Sequence, residues 1–254
     1  ISIVIVTVLA PVLTGYDPLR IDLDSIKQPP SASHLFGTDT KGRDIFSRVL
    51  HGGLVSLSVA LMAAFLSMSI GLMVGLIAGY AGGKVDAVLM ALTDLVLSFP
   101  SLLLAIGISV VLPPGIYTVM IAISAVGWAA FARVIRGYVL TIKEMPYVDS
   151  ARAVGCSGWR ILIRYLLPQC IPVAIVMIGL KLGGYIITEA SLSFLGLGQQ
   201  PPAPSWGGMI SAGRAYIISE PWMVLFPGIA IVVTALCFNL VGDILRDRFG
   251  LQIK

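Results

Sequence analysis

Long uncharged apolar runs alternate with shorter polar stretches along the whole chain. A membrane-spanning helix needs about 20 consecutive, mostly apolar residues. By that measure full spans are expected at Leu54–Ala78, Asp86–Leu112, Ile116–Leu140, Cys170–Glu189 and Pro221–Gly242. A further run, ISIVIVTVLAPVL at residues 1–13, falls short of a full span. It has neither the basic segment nor the cleavage site of a signal peptide, so it reads as a truncated first transmembrane helix. The pattern predicts an all-α polytopic membrane protein with about six transmembrane helices. Residues 1–53 hold the partial span and an external segment. Residues 54–254 form a five-helix core with polar loops at 141–168 and 191–220.

Several positions punctuate this pattern. Pro18, Pro29 and Pro30 interrupt the charged segment 15–53, and Thr40–His51 reads as a short amphipathic helix before the first full span. Gly71, Gly75 and Gly79 recur every four residues, so they share one helix face on which another backbone can approach closely. Phe99-Pro100 predicts a kink. Pro113-Pro114-Gly115 predicts a tight reversal. The 191–220 stretch is rich in Gly and Pro, and its leucines at 192, 195 and 197 allow part of it to re-enter the membrane border where protein or water satisfies the backbone.

Composition strengthens the membrane reading. Hydrophobic residues make up 57% of the 254 and charged residues 12%, with a mean hydropathy of +0.95; soluble domains carry about 25% charge. Charge also orients the chain. Lys84, Arg133, Arg136, Lys143, Arg152, Arg160, Arg164, Arg246, Arg248 and Lys254 fall on one side, ten in all. Arg20, Lys27, Lys41, Arg43, Arg48 and Arg214 fall on the other, six in all, with Lys181 inside a span. The richer side is expected to be cytoplasmic, which places both termini there.

Chemistry is sparse. Cys156, Cys170 and Cys237 lie far apart, and His34 and His51 are the two histidines, so neither a disulfide framework nor a metal site is expected. The turn Tyr80–Lys84 invites a phosphate-loop reading that fails, because Ala78 and Val85 stand where Gly and Ser or Thr are required. No catalytic set is recognisable. Asp94, Lys181 and Glu189 are ionisable groups within apolar runs. Such groups are costly in lipid and face protein or water. They are either elements of a translocation path, as in an ion-coupled secondary transporter, or satisfied polar groups between helices.

The stretch YVDSARAVGCSGWRILIRYLLP, residues 147–168, is polar, basic and unable to span. Pro146 suits a helix start, Asp149 a first turn, Gly155 a sharp turn, and Ser157 the cap of a second helix. Ala151, Ala153 and Val154 make a small-residue surface open to a second protein. On these residues alone, a loop resting on anionic headgroups is an equal reading. The spacing Asp149-Ser150-Ala151, three residues, Gly155, nine residues, Tyr165, one residue, Leu167-Pro168 resembles the EAA motif of bacterial ABC-importer permeases. Asp, Ser and Tyr here replace the Glu, Ala and Ile of that motif. HLFGTDTKGRDIFS (34–47), GYAGGKVD (79–86), LSFLGLGQQPPAPSWGG (192–208) and FNLVGDILRD (238–247) are similar to the C-type permease subunit of dipeptide, oligopeptide and nickel importers.

The resemblance implies a type I importer fold in the bacterial inner membrane. It implies a pore shared with a second, different permease subunit. It also implies two ATPase subunits that bind ATP and Mg, and a substrate-binding protein docking outside on 15–53 and 191–220. Residues Asp149, Ser150, Ala151, Gly155, Leu167 and Pro168 would couple to an ATPase subunit. The chain itself would carry no ATPase site, no cofactor and no nucleic-acid partner. The solute would be a di- or oligopeptide or related small solute, with nickel or a metal chelate as the alternative.

Overall fold

The computed structural model describes Thr7 and residues 14–248. The run expected to be a partial first span therefore lies outside the described residues, Thr7 apart, as does the end of the tail. Helix is the main regular structure among the described residues, with one isolated bridge between Thr38 and Asp44. In order come α1 (Ile45–Ala81), α2 (Gly83–Leu97), α3 (Ser101–Val111), α4 (Ile116–Ile142), α5 (Pro146–Ala153), α6 (Gly158–Phe194), α7 (Trp206–Gly213) and α8 (Trp222–Arg248). Helices α1, α4, α6 and α8 are long and apolar enough to cross a membrane, and α2 with α3 makes a fifth if the bent pair is one span.

Two elements differ from the sequence pattern, and a third, the expected kink, is sharper than a kink. The expected short helix at Thr40–His51 is no separate element. Asp44 Oδ2 accepts the Ser47 N–H at 2.7 Å, which caps α1, and the helix then runs unbroken from Ile45 to Ala81 through Gly52-Gly53. The kink at Phe99-Pro100 is a break of 89° between α2 and α3. Proline lacks the N–H that would continue the ladder and disfavours helix at the preceding residue. The 191–220 stretch is not irregular throughout: α6 continues to Phe194, and Ser205 Oγ accepts the Gly208 N–H at 3.2 Å to cap α7.

The chain divides into two compact units. One comprises residues 1–62, 106–122 and 182–238. Here the 15–53 segment is tied to the 191–220 stretch. Trp206 is buried, and its Nε1–H donates to the Val49 carbonyl at 2.8 Å. Trp222 Nε1–H donates to the Thr38 carbonyl at 3.3 Å, Lys27 pairs with Glu220 at 3.8 Å, and Phe36 stacks on Phe226 with centroids 3.9 Å apart. Leu192 is buried, whereas Leu195 is half exposed. All six cations of the expected external side belong to this unit.

The other unit comprises 63–105, 123–181 and 239–254, and it holds the cations of the opposite side that fall among the described residues, all but Lys254. Gly71, Gly75 and Gly79 of α1 face α4 at backbone distance. A Cβ at Gly75 would lie 2.7 Å from the Ala132 carbonyl oxygen and 2.8 Å from Ile135 Cβ. At Gly79 it would lie 2.8 Å from Val139 Cβ. Arg136 of α4 holds Asp86 of α2 through Nε at 2.6 Å and Nη2 at 2.5 Å, a bidentate pair. Lys143 Nζ donates to the Gly79 carbonyl at 3.2 Å.

This packing sets a steric prediction. Gly75→Ala forces backbone against backbone and costs about 1–3 kcal/mol, as overpacking does. Gly137→Ala on α4 meets open space in the chain and gains up to about 1 kcal/mol of helix propensity. Thermal unfolding of the isolated chain in detergent should show a lower midpoint for the first variant and an equal or higher one for the second. Equal midpoints for Gly75→Ala and the parent would refute the close approach.

Candidate functional site

The polar stretch after α4 folds as helix, turn and helix. Pro146 occupies the first position of α5, where its missing N–H costs nothing. Asp149 sits in the first turn, favourable against the positive helix end, and accepts from Arg152 Nη1 at 3.0 Å. Ser150 Oγ donates to the Pro146 carbonyl at 2.9 Å. At the far end the Gly155 N–H bonds the Arg152 carbonyl at 2.9 Å, and the Cys156 N–H bonds the Ala151 carbonyl at 3.0 Å. That pair of bonds is a Schellman cap, and it needs the left-handed φ of +82° that Gly155 adopts. Ser157 Oγ then accepts the Arg160 N–H at 3.4 Å and starts α6.

The buried side of this turn is apolar. Val148 and Ala151 are packed with Leu76 of α1, Ile135, Val139 and Ile142 of α4, and Ile161, Leu162 and Leu166 of α6. Ala151 therefore does not belong to an exposed small-residue surface, as its composition suggested. It lies three residues from Val148, on the same helical face, and that face is turned inward. Ala153 and Gly155 are exposed, and so is Val154, at 85%. Trp159, at 66%, extends the same exposed turn. Its exposure was missed from sequence, although a Trp within a polar, basic stretch was a legible signal.

Leu167-Pro168 does not mark the entrance to a separate span. Helix α6 runs through it, with a π-turn at Leu162–Leu166 in which the Leu167 N–H bonds the Leu162 carbonyl. A proline in a helix clashes with the carbonyl four residues earlier, here Arg164, and the wider turn accommodates that ring. Leu167 is partly buried against the same cluster, and Pro168 is exposed.

The ionisable residues within the apolar runs have separate surroundings. Asp94 is ion-paired to Arg133, both largely exposed in the chain. Glu189 is buried and accepts from Ser193 Oγ at 2.7 Å one turn along α6. Lys181 is exposed on α6. Among the described residues no hydrogen bond or ion pair joins any two of these three.

Comparison with known proteins agrees with this architecture. The family model of binding-protein-dependent transport system inner membrane components matches residues 71–253. The glutathione transport system permease proteins of Escherichia coli O6:K15:H31 and Shigella boydii serotype 4 are each 42% identical to the chain. Each alignment covers all of the chain and 84% of the relative. Among solved structures, an inward-facing form of the MetNI methionine ABC transporter aligns with a TM-score of 0.64 at 18% identity. It covers 79% of this chain and 95% of that one. An amino acid ABC transporter with histidines aligns with a TM-score of 0.60 at 16% identity, covering 80% and 95%. These two likenesses concern the fold.

The cap at Gly155 gives a local prediction. Gly155→Ala keeps space around the side chain but puts a Cβ on a left-handed residue, at a cost of about 1–2 kcal/mol. Hydrogen exchange should quicken at the amides of residues 154–157 while α1 and α4 stay protected. Unchanged exchange at these amides would contradict the cap.

Proposed function

As the chain belongs to the family of binding-protein-dependent transport system inner membrane components, we propose that it is one permease subunit of an ATP-driven importer of peptides or related small solutes. The observation that carries this reading is the α5–Gly155–α6 turn: an exposed tip of Val154, Gly155 and Trp159 on a buried apolar base. Exposed apolar side chains grouped on a polar turn suit a protein partner. In this reading an ATPase subunit grips the tip, with Asp149, Ser150 and Gly155 at the contact and Ala151, Leu167 and Pro168 fixing it to α6. Two ATPase subunits bind ATP and Mg, and this chain contributes no nucleotide site. A second permease subunit completes the pore, and a substrate-binding protein docks on the unit built from 15–53 and 191–220.

The cation-rich loops and both termini face the cytoplasm in this proposal, following the positive-inside rule. The peptide class is supported by the named activity of the relatives, a glutathione transport system. Asp94 is read as a satisfied polar group, since Arg133 pairs with it, whereas Glu189 is held by Ser193 through Oε1 alone.

Two measurements test the coupling surface in the assembled complex. Val154→Arg places a charge in the proposed contact and should lower ATP-driven peptide uptake at least about tenfold, equivalent to 1.4 kcal/mol or more. ATP hydrolysis should persist. Uptake at the parental rate would remove the assigned role. Ser150→Cys, exposed where Ala151 is buried, should cross-link to an ATPase subunit. Uptake by the chain without ATPase subunits, driven by an ion gradient, would overturn the importer reading altogether.

A further inference from the structure

Between the start of α1 and the segment leading into α7 lies a cavity of about 310 Å³. It falls within one compact unit, and small-ligand sites begin at about that size. Lys41, Arg43 and Arg48 line it, with Ser193, Gln200 and Ser211, and no carboxylate does. Arg43 and Arg48 are held in place. Their side chains are 10% and 7% exposed, and both address Asp39 Oδ2, through Nε at 2.7 Å and 3.7 Å. Arg48 Nη1 also donates to the Pro18 carbonyl at 2.8 Å.

The charges here do not balance. Asp39 is shared between two guanidinium groups and also accepts the backbone N–H groups of Lys41 and Arg43. Asp44 is engaged by His34 and the Ser47 N–H. Glu189 lies behind Ser193, whose hydroxyl donates to it. Among the described residues, the terminal nitrogens of Arg43 and Nη2 of Arg48 have no hydrogen-bond partner. Nearly buried guanidinium groups with free terminal donors, on the wall of a cavity, match a planar carboxylate, which such a fork binds through two parallel hydrogen bonds.

The geometry points to a carboxylate-binding site in this cavity, with Arg43 and Arg48 as the anchoring groups and Lys41 at the rim. Its ligand is the C-terminal carboxylate of a small peptide. The choice of peptide rests on the function proposed above; the preference for a carboxylate rests on the cavity alone. Gln200 does not compete for the anion, because its amide nitrogen is held by the Gly196 and Gly198 carbonyls at 2.9 Å.

The test uses the assembled complex without its binding protein, in phosphatidylcholine nanodiscs. Calorimetry compares alanylalanine with its C-terminal amide. The free acid should bind at least tenfold more tightly than the amide. Ser211→Glu, which supplies a competing carboxylate without touching the arginines, should abolish that difference, and Ser211→Gln should keep it. Arg43→Gln should weaken the acid and leave the amide unchanged. Equal binding of acid and amide would overturn the site, as would an acid preference that survives Ser211→Glu. Loss of peptide binding in phosphatidylglycerol nanodiscs would assign the cavity to a lipid headgroup and overturn it too. The transport reading fails separately, by absence of ATP-driven uptake in the parent complex.

Discussion

The constraint on which the cation-rich unit depends is the backbone contact between α1 and α4. Lipid tails are as apolar as leucine side chains, so helices in a bilayer gain little by hiding apolar surface from each other. Close van der Waals contact and polar bonds must supply the attraction. Gly71, Gly75 and Gly79 remove every side-chain atom from one stripe of α1, and α4 fills that stripe with its backbone from Trp128 to Arg136 and with the Val139 side chain. The contact also brings the Gly79 carbonyl within reach of Lys143 just past the end of α4. The end of α4 is thereby fixed where α5 departs.

From that fixed end the α5–α6 turn inherits its position. Ile135, Val139 and Ile142 of α4 form one wall of the cluster that receives Val148 and Ala151, and Ile161 to Leu166 of α6 form another. The exposed tip therefore stands on side chains from three helices. Displacement of such a tip must move the ends of α4 and α6 with it, because a packed interior transmits strain more readily than it absorbs it. The Schellman cap keeps the tip short and stiff, and the π-turn before Pro168 lets α6 continue without a break. These are the mechanical properties that the proposed role requires.

The other unit is organised around polar and aromatic side chains. Trp206 buries its ring and still satisfies its indole N–H on the Val49 carbonyl. Trp222 and Lys27 add further ties between segments far apart in sequence. Asp39 and Asp44 hold the turn that begins α1, one through the two arginines and the other through His34 and the helix cap. The proposed carboxylate cavity and the proposed docking face for a binding protein arise on the same framework.

How legible this was follows from the range of each interaction. Sequence by itself determined the apolar runs, the glycine face, the break at Phe99-Pro100, the cap at Ser157 and the turn at Gly155. All of these are set by local periodicity or by the backbone limits of single residues. It also determined the family pattern, through spacing at 147–168 and motifs elsewhere. Only the tertiary structure decided that α1 starts at Ile45, that a helix at Trp206–Gly213 lies within a Gly- and Pro-rich stretch, and that Ala151 faces inward while Val154 and Trp159 face out. Those outcomes depend on contacts between residues distant in the chain, such as Trp206 with Val49 and Ala151 with the walls of α4 and α6. A one-dimensional pattern carries no record of which face meets which neighbour, and the pairing of Arg43 and Arg48 around Asp39 is of the same kind.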